Sequence, residues 1–164
     1  MSGKADGPLE IERKYRPPEV PSWVEECRSE EIEQGYLALA GDGTEVRLRR
    51  RGGRMLLTAK VGMGETRVER EIELEDEQFE ALWPLTEGRR IRKTRYLVSH
   101  EGLTVEVDRF KGDLEGMLLA EIEFDSAEAS AEFQAPSWLG LDVTGDERYA
   151  NASLAVNGEP EAPT

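Results

Sequence analysis

Charge in this chain alternates with a period of two. In the stretch Leu9-Glu10-Ile11-Glu12-Arg13-Lys14-Tyr15, successive side chains of an extended backbone point to opposite sides. Glu10, Glu12 and Lys14 therefore share one face, and Leu9, Ile11, Arg13 and Tyr15 the other. A single strand of this kind is a solvated polar face over a half-apolar one. The pattern returns, however, at Arg47/Arg49, Lys60, Glu69/Glu71, Lys93/Arg95, Glu106/Asp108 and Glu121/Glu123. If all these faces point inward, they line an ionic cavity whose carboxylates and cations are held by each other, by metal and by ligand. Charge ladders between exposed antiparallel strands are the alternative.

The segments carrying these faces read as strands joined by short turns. Pro17-Pro18 ends the first. The next three run over 31–40, 44–51 and 54–61, closed in turn by Gly41-Asp42-Gly43, Gly52-Gly53 and Gly62-Met63-Gly64. Further strands cover 66–74, the basic run from Arg89 through Ser99, 104–110 and 117–124. The period turns helical at Phe79, Leu82, Trp83 and Leu85, with Asp76 as the cap. Short helices are expected over 21–28, with Ser22 as N-cap, over 127–133 and within 142–155. Residues 1–8 and 156–164 read as flexible ends, leaving one domain over 9–155. The expected fold is mainly β (α+β): an eight-stranded antiparallel sheet closed into a barrel, with a few peripheral helices.

Composition bears on where so much charge can go. Charged residues make up 34% of the 164 and hydrophobic ones only 38%, a polar balance that a charge-lined cavity would absorb. A net charge of −14 argues against nucleic acid and against anionic membrane surfaces. Cys27 is the single cysteine, no apolar run approaches membrane length, and no signal-peptide pattern opens the sequence, so the expected address is the cytoplasm. With His100 the only histidine, a bound metal would be a hard, oxygen-ligated cation.

The opening E-I-E-R-K resembles the CYTH superfamily of triphosphate tunnel metalloenzymes. So do V-R-L-R, L-T-A-K, R-E-I-E, the block W-P-L-T-E-G-R-R-I-R-K-T-R-Y, A-E-I-E-F and the closing E-R-Y-A-N-A-S-L-A. The likeness is strongest to its small bacterial tripolyphosphatase-like members and spans 9–154. It implies a tunnel that holds a triphosphate on basic side chains and Mg²⁺ or Mn²⁺ on carboxylates. Matched position by position, Glu10, Glu12, Glu121 and Glu123 fall on the metal-binding carboxylates. Glu69 and Glu71 fall on mid-chain glutamates that serve a second metal or the attacking water, and Asp108 joins the metal set with its role open. Arg47, Arg49, Lys60 and Arg95 fall on phosphate-binding positions, as do Lys14 and Lys93. Lys14, Lys93, Glu71 and Tyr36 are the catalytic candidates. Arg109 departs from the pattern, standing where many relatives have a small or apolar residue.

The implied activity is metal-dependent attack of water on a linear triphosphate, with inorganic tripolyphosphate giving diphosphate and phosphate. The same motifs also occur in class IV adenylate cyclases and in thiamine or nucleoside triphosphatases. A module that binds polyphosphate without cleaving it is a third reading. The implied partner is a small-molecule triphosphate, with no nucleic acid and no membrane, and a homodimer is left open.

Overall fold

A computed structural model describes residues 11–62 and 68–161. Its strands are β1 (Ile11–Arg16), β2 (Ser29–Leu39), β3 (Glu45–Arg51), β4 (Arg54–Val61), β5 (Val68–Glu73), β6 (Arg90–His100), β7 (Leu103–Lys111), β8 (Leu118–Phe124) and β9 (Leu141–Asp142). The helices are α1 (Asp76–Leu82), α2 (Ala127–Glu132) and α3 (Asn151–Asn157). All strand pairs are antiparallel, in the order β5-β4-β3-β2-β6-β7-β8-β1-β9. The β3–β4 turn shows why the sequence folds this way locally: Gly52 and Gly53 both take positive φ, 55° and 84°, the geometry of a tight two-residue hairpin turn.

The alternation places side chains as expected but does not close the sheet. Among the described residues β5 pairs only with β4, so the sheet is open and the expected barrel is not formed. The reason lies at the far edge. The outer edge of β1 is already taken, because β9 pairs with Tyr15 and Arg16. Lys14 also gives its backbone carbonyl to the Val143 amide and its own amide to Thr144 Oγ1. β5, at the opposite edge, carries Glu69, Arg70, Glu71 and Glu73, and a charged edge resists further pairing.

Period two sorts the residues between the two sheet faces. One face buries Tyr15, Val98, Val105, Val107, Ala120, Ile122 and Phe124, closed over by Val24 and Leu139 from flanking turns. Farther along this side, Phe79 of α1 stacks on Trp83 at 5.2 Å, and Arg50 lies 4.6 Å over the Phe79 ring. The opposite face carries the charge pattern. One end of it is covered by a second apolar cluster in which Ile91, Phe110 and Leu119 of the sheet meet Tyr149 and Leu154 from the C-terminal segment.

Several local expectations change. The 3-10 turn at Ser22–Glu26 has Pro21 before it and no side-chain cap. The cap of α1 is Glu75, in a reciprocal capping box with Gln78, and Asp76 is the first helical residue. The last helix is Asn151–Asn157, which begins inside the expected 142–155 region and runs two residues past it. The segment after it is not loose, because Arg16 holds Glu159 at 2.6 Å and the Pro160 carbonyl at 3.3 Å. No helix among the described residues is long and apolar enough to cross a membrane.

Candidate active site

The charged face brings residues from eight strands into register. Glu12 lies opposite Glu123, and Lys14 opposite Glu121. Glu121 in turn faces Glu106. Arg95 pairs with Asp108, Tyr36 with Arg47 and Gln34 with Arg49. Thr58 pairs with Glu71 and Lys60 with Glu69.

The cations divide into strongly and weakly compensated groups. Asp108 is buried and takes Arg95 Nε at 2.8 Å on one oxygen, with Arg95 Nη2 at 3.0 Å and Lys93 Nζ at 2.8 Å on the other. Burial works against its charge, yet Lys93 and Arg95 hold the carboxyl below its ordinary range. Both of its oxygens therefore meet cationic donors from β6. Lys93 is 1% exposed and also donates to Asn151 Oδ1 at 3.2 Å. Burial pushes its ammonium down to about 8, against the pull of Asp108.

Arg47 and Arg49 are the weakly compensated pair. Arg47 is buried, its Nε has no hydrogen-bond partner, and its only ion-pair neighbour among the described residues is Glu45 at 4.0 Å. Glu45 also lies 3.9 Å from Lys60. Arg49 donates its Nε to Gln34 Oε1 at 2.9 Å. Burial first, then the nearby Arg47 and Arg95, lower its guanidinium to about 10. Two crowded guanidiniums, one buried with an unused N–H and one half-buried, create local demand for an anion in a chain of strongly negative net charge.

The carboxylates make the complementary arrangement. Burial, a hydrogen bond to Glu12 and the Glu12 charge push Glu121 up to about 7 from 4.5. Two carboxyls this close require a proton or a cation between them. Glu123 is exposed on the same strand and Glu10 lies outside the described residues. Among the described residues no three acidic, histidine or cysteine side chains converge as a ready-made metal cluster. Glu12 and Glu121 nonetheless form an all-oxygen pair of the chemistry a hard divalent cation takes. Glu71 is exposed and accepts Thr58 Oγ1 at 2.8 Å. Lys14 Nζ donates to the Tyr149 carbonyl at 3.3 Å.

Sequence reasoning missed Gln34, Glu45 and Asn151. Glu45 and Gln34 sit two residues from predicted members on the same strand faces, a signal the period contains. Asn151 arrives from a distant segment: it lies in the closing E-R-Y-A-N-A-S-L-A motif, which marks the stretch but gives Asn151 no role.

The match with known proteins follows this geometry. The model of the CYTH domain family matches residues 8–143. The chain belongs to the CYTH family. An inorganic triphosphatase of Nitrosomonas europaea is 42% identical over 149 residues, covering 90% of this chain and 97% of the relative. One from Acetivibrio thermocellus is 41% identical over 126 residues, covering 76% of this chain and 79% of the relative. The crystal structure of the inorganic triphosphatase NE1496 superposes with a TM-score of 0.75 at 41% identity, covering 91% of this chain and 95% of that one. The CYTH match contains every strand of the sheet and leaves out α3, which supplies Asn151.

Proposed function

We propose that this CYTH protein hydrolyses a linear inorganic triphosphate to diphosphate and phosphate, with a divalent cation and water as the nucleophile. The observation that carries this reading is the position of Arg47 and Arg49, two crowded guanidiniums suited to an anion, on the same face as Glu12 and Glu121, two close carboxyls suited to a cation. A metal triphosphate supplies both at once. The inorganic triphosphatases of Nitrosomonas europaea and Acetivibrio thermocellus, similar over most of their lengths, support the same substrate class.

Glu12 and Glu121, with Glu123 and Glu10, would hold Mg²⁺ or Mn²⁺. When bound, the cation neutralises phosphate charge and makes the attacked phosphorus more electrophilic. The chain's own groups do the rest, because phosphoryl transfer needs chiefly positioning and charge stabilisation. Arg47 and Arg49 present N–H forks to phosphate oxygens, and Lys60 and Lys14 act as point charges. Arg95, fixed at two points by Asp108, presents its remaining N–H groups in a rigid orientation. Glu71, exposed and accepting the Thr58 hydroxyl, holds the attacking water in this reading, alone or with Glu69. Lys93 is enclosed by Asp108, Asn151 and the Phe110 ring, and so supports Asp108 and Arg95 from beneath.

Phosphate release from tripolyphosphate, ATP and thiamine triphosphate, each with Mg²⁺, Mn²⁺ or EDTA and with cyclic AMP measured in parallel, tests the reading. Tripolyphosphate should be cleaved fastest and EDTA should abolish turnover. Cyclic AMP as the main product, or full activity in EDTA, would overturn it.

A further inference from the structure

Gln34 is 0% exposed, and both of its amide atoms are used on the charged face. Its Oε1 receives Arg49 Nε at 2.9 Å, and its Nε2 donates to the Tyr36 hydroxyl at 2.9 Å. The direction of this chain is set by chemistry. A guanidinium can only donate, so the amide oxygen must face Arg49 and the NH₂ must face Tyr36. The Tyr36 oxygen is then an acceptor, and its own hydrogen is left for another partner. Burial and the Glu45 charge push the phenol pKa up, which keeps that hydrogen in place.

The contrast with the neighbouring arginines is in charge. On β3, Arg51 lies 2.7 Å from Glu30, and Arg50 pairs with Glu33 and Glu80. Across the face Arg95 has Asp108 and Glu106. Arg49 alone of these four is held by a neutral amide and lies within ion-pair distance of no carboxylate among the described residues. An amide aligns a guanidinium as a carboxylate does, without cancelling its charge. The strand is also pinned behind Gln34, because a Cβ at Gly35 would lie 2.5 Å from Thr86 Oγ1.

We propose that Gln34 is a positioning residue that aligns Arg49 without neutralising it and turns the Tyr36 O–H towards the bound triphosphate. This rests on the triphosphatase reading. Gln34→Glu is the decisive change. It keeps the shape, but its carboxylate has no hydrogen to give: Arg49 becomes ion-paired, and the Tyr36 hydroxyl donates inward to the new carboxylate. The empty protein should melt at the same temperature or higher, while the Kd for tripolyphosphate rises by about tenfold or more. Tyr36→Phe should weaken tripolyphosphate binding in the wild-type background and have no further effect with Gln34→Glu in place.

Melting curves and calorimetric titration with inorganic tripolyphosphate, on the wild type, both single variants and the double variant, give every readout. A Gln34→Glu protein that binds as tightly as wild type overturns the proposal. So does one that fails to fold or melts lower, since Arg49 and Tyr36 should satisfy the new carboxylate. A wild type that does not bind tripolyphosphate overturns the triphosphatase reading instead, and the ligand-free melting temperature of Gln34→Glu still decides whether Arg49 was left uncompensated.

Discussion

Two side chains on the charged face carry opposite pH signatures. Burial lowers the Lys93 pKa to about 8 from 10.5. Between those values the unfolded chain binds a proton that the folded protein does not, so stability rises with pH across that window. Below about pH 8 both states are protonated and the folded one carries the full cost of a buried ammonium. Lys93→Met should flatten this rise, changing the stability difference between pH 8 and 10.5 by roughly 3 kcal/mol in urea unfolding. An unchanged slope would mean that Asp108 fully offsets the burial. Glu121 runs the other way. Its pKa is raised to about 7 from 4.5, so the folded protein holds the extra proton between those values and loses stability as pH climbs through them. A divalent cation that takes the place of this proton must release it. Titration of Mg²⁺ near pH 6, in buffers of different ionisation heat, should therefore show proton release in the wild type and none in Glu121→Gln.

Among the elements, α3 and the turn before it make a contribution out of proportion to their length. Leu154 and Tyr149 cover the end of the charged face that the sheet leaves apolar, while Asn151 and the Tyr149 carbonyl meet Lys93 and Lys14. Leu154→Ala should cost roughly 2–5 kcal/mol in urea unfolding, because a buried leucine at a cluster centre leaves a cavity. A cost below about 1 kcal/mol would show that the segment packs loosely. α1 and its Phe79–Trp83 stack sit on the other face, behind Arg50, so changes there should alter stability with little effect on triphosphate affinity.

For the molecule as a whole, charge dominates. The 35 acidic residues outnumber the 21 basic ones, and the open sheet leaves most of this charge in contact with solvent. Screening reduces such self-repulsion. Raising NaCl from about 0.02 M to about 0.5 M, across the ~0.1 M point at which the Debye length falls below about 10 Å, should raise the melting temperature of the metal-free protein. A fall would mean that the attractive pairs outweigh the net repulsion.

The strands and their sidedness were legible in the sequence because period-two patterning is a local property: Glu12, Lys14, Arg47, Arg49, Lys93, Arg95 and Glu121 all lie on the face that the alternation assigns them. The helical period at Phe79 was equally local. What the tertiary structure alone decided was closure and pairing. Whether the sheet closes depends on which segment takes the outer edge of β1, and residues 141–144, more than a hundred positions away, take it through backbone bonds that no side-chain pattern encodes. The role of Asp108 was undecidable for the same reason. In sequence it is one more carboxylate in an alternating strand, and only the approach of Arg95 and Lys93 from β6 brings cationic donors to both of its oxygens. Gln34 completes the contrast: its position on the charged face follows from period two, but that it holds Arg49 without cancelling its charge depends on distances between strands.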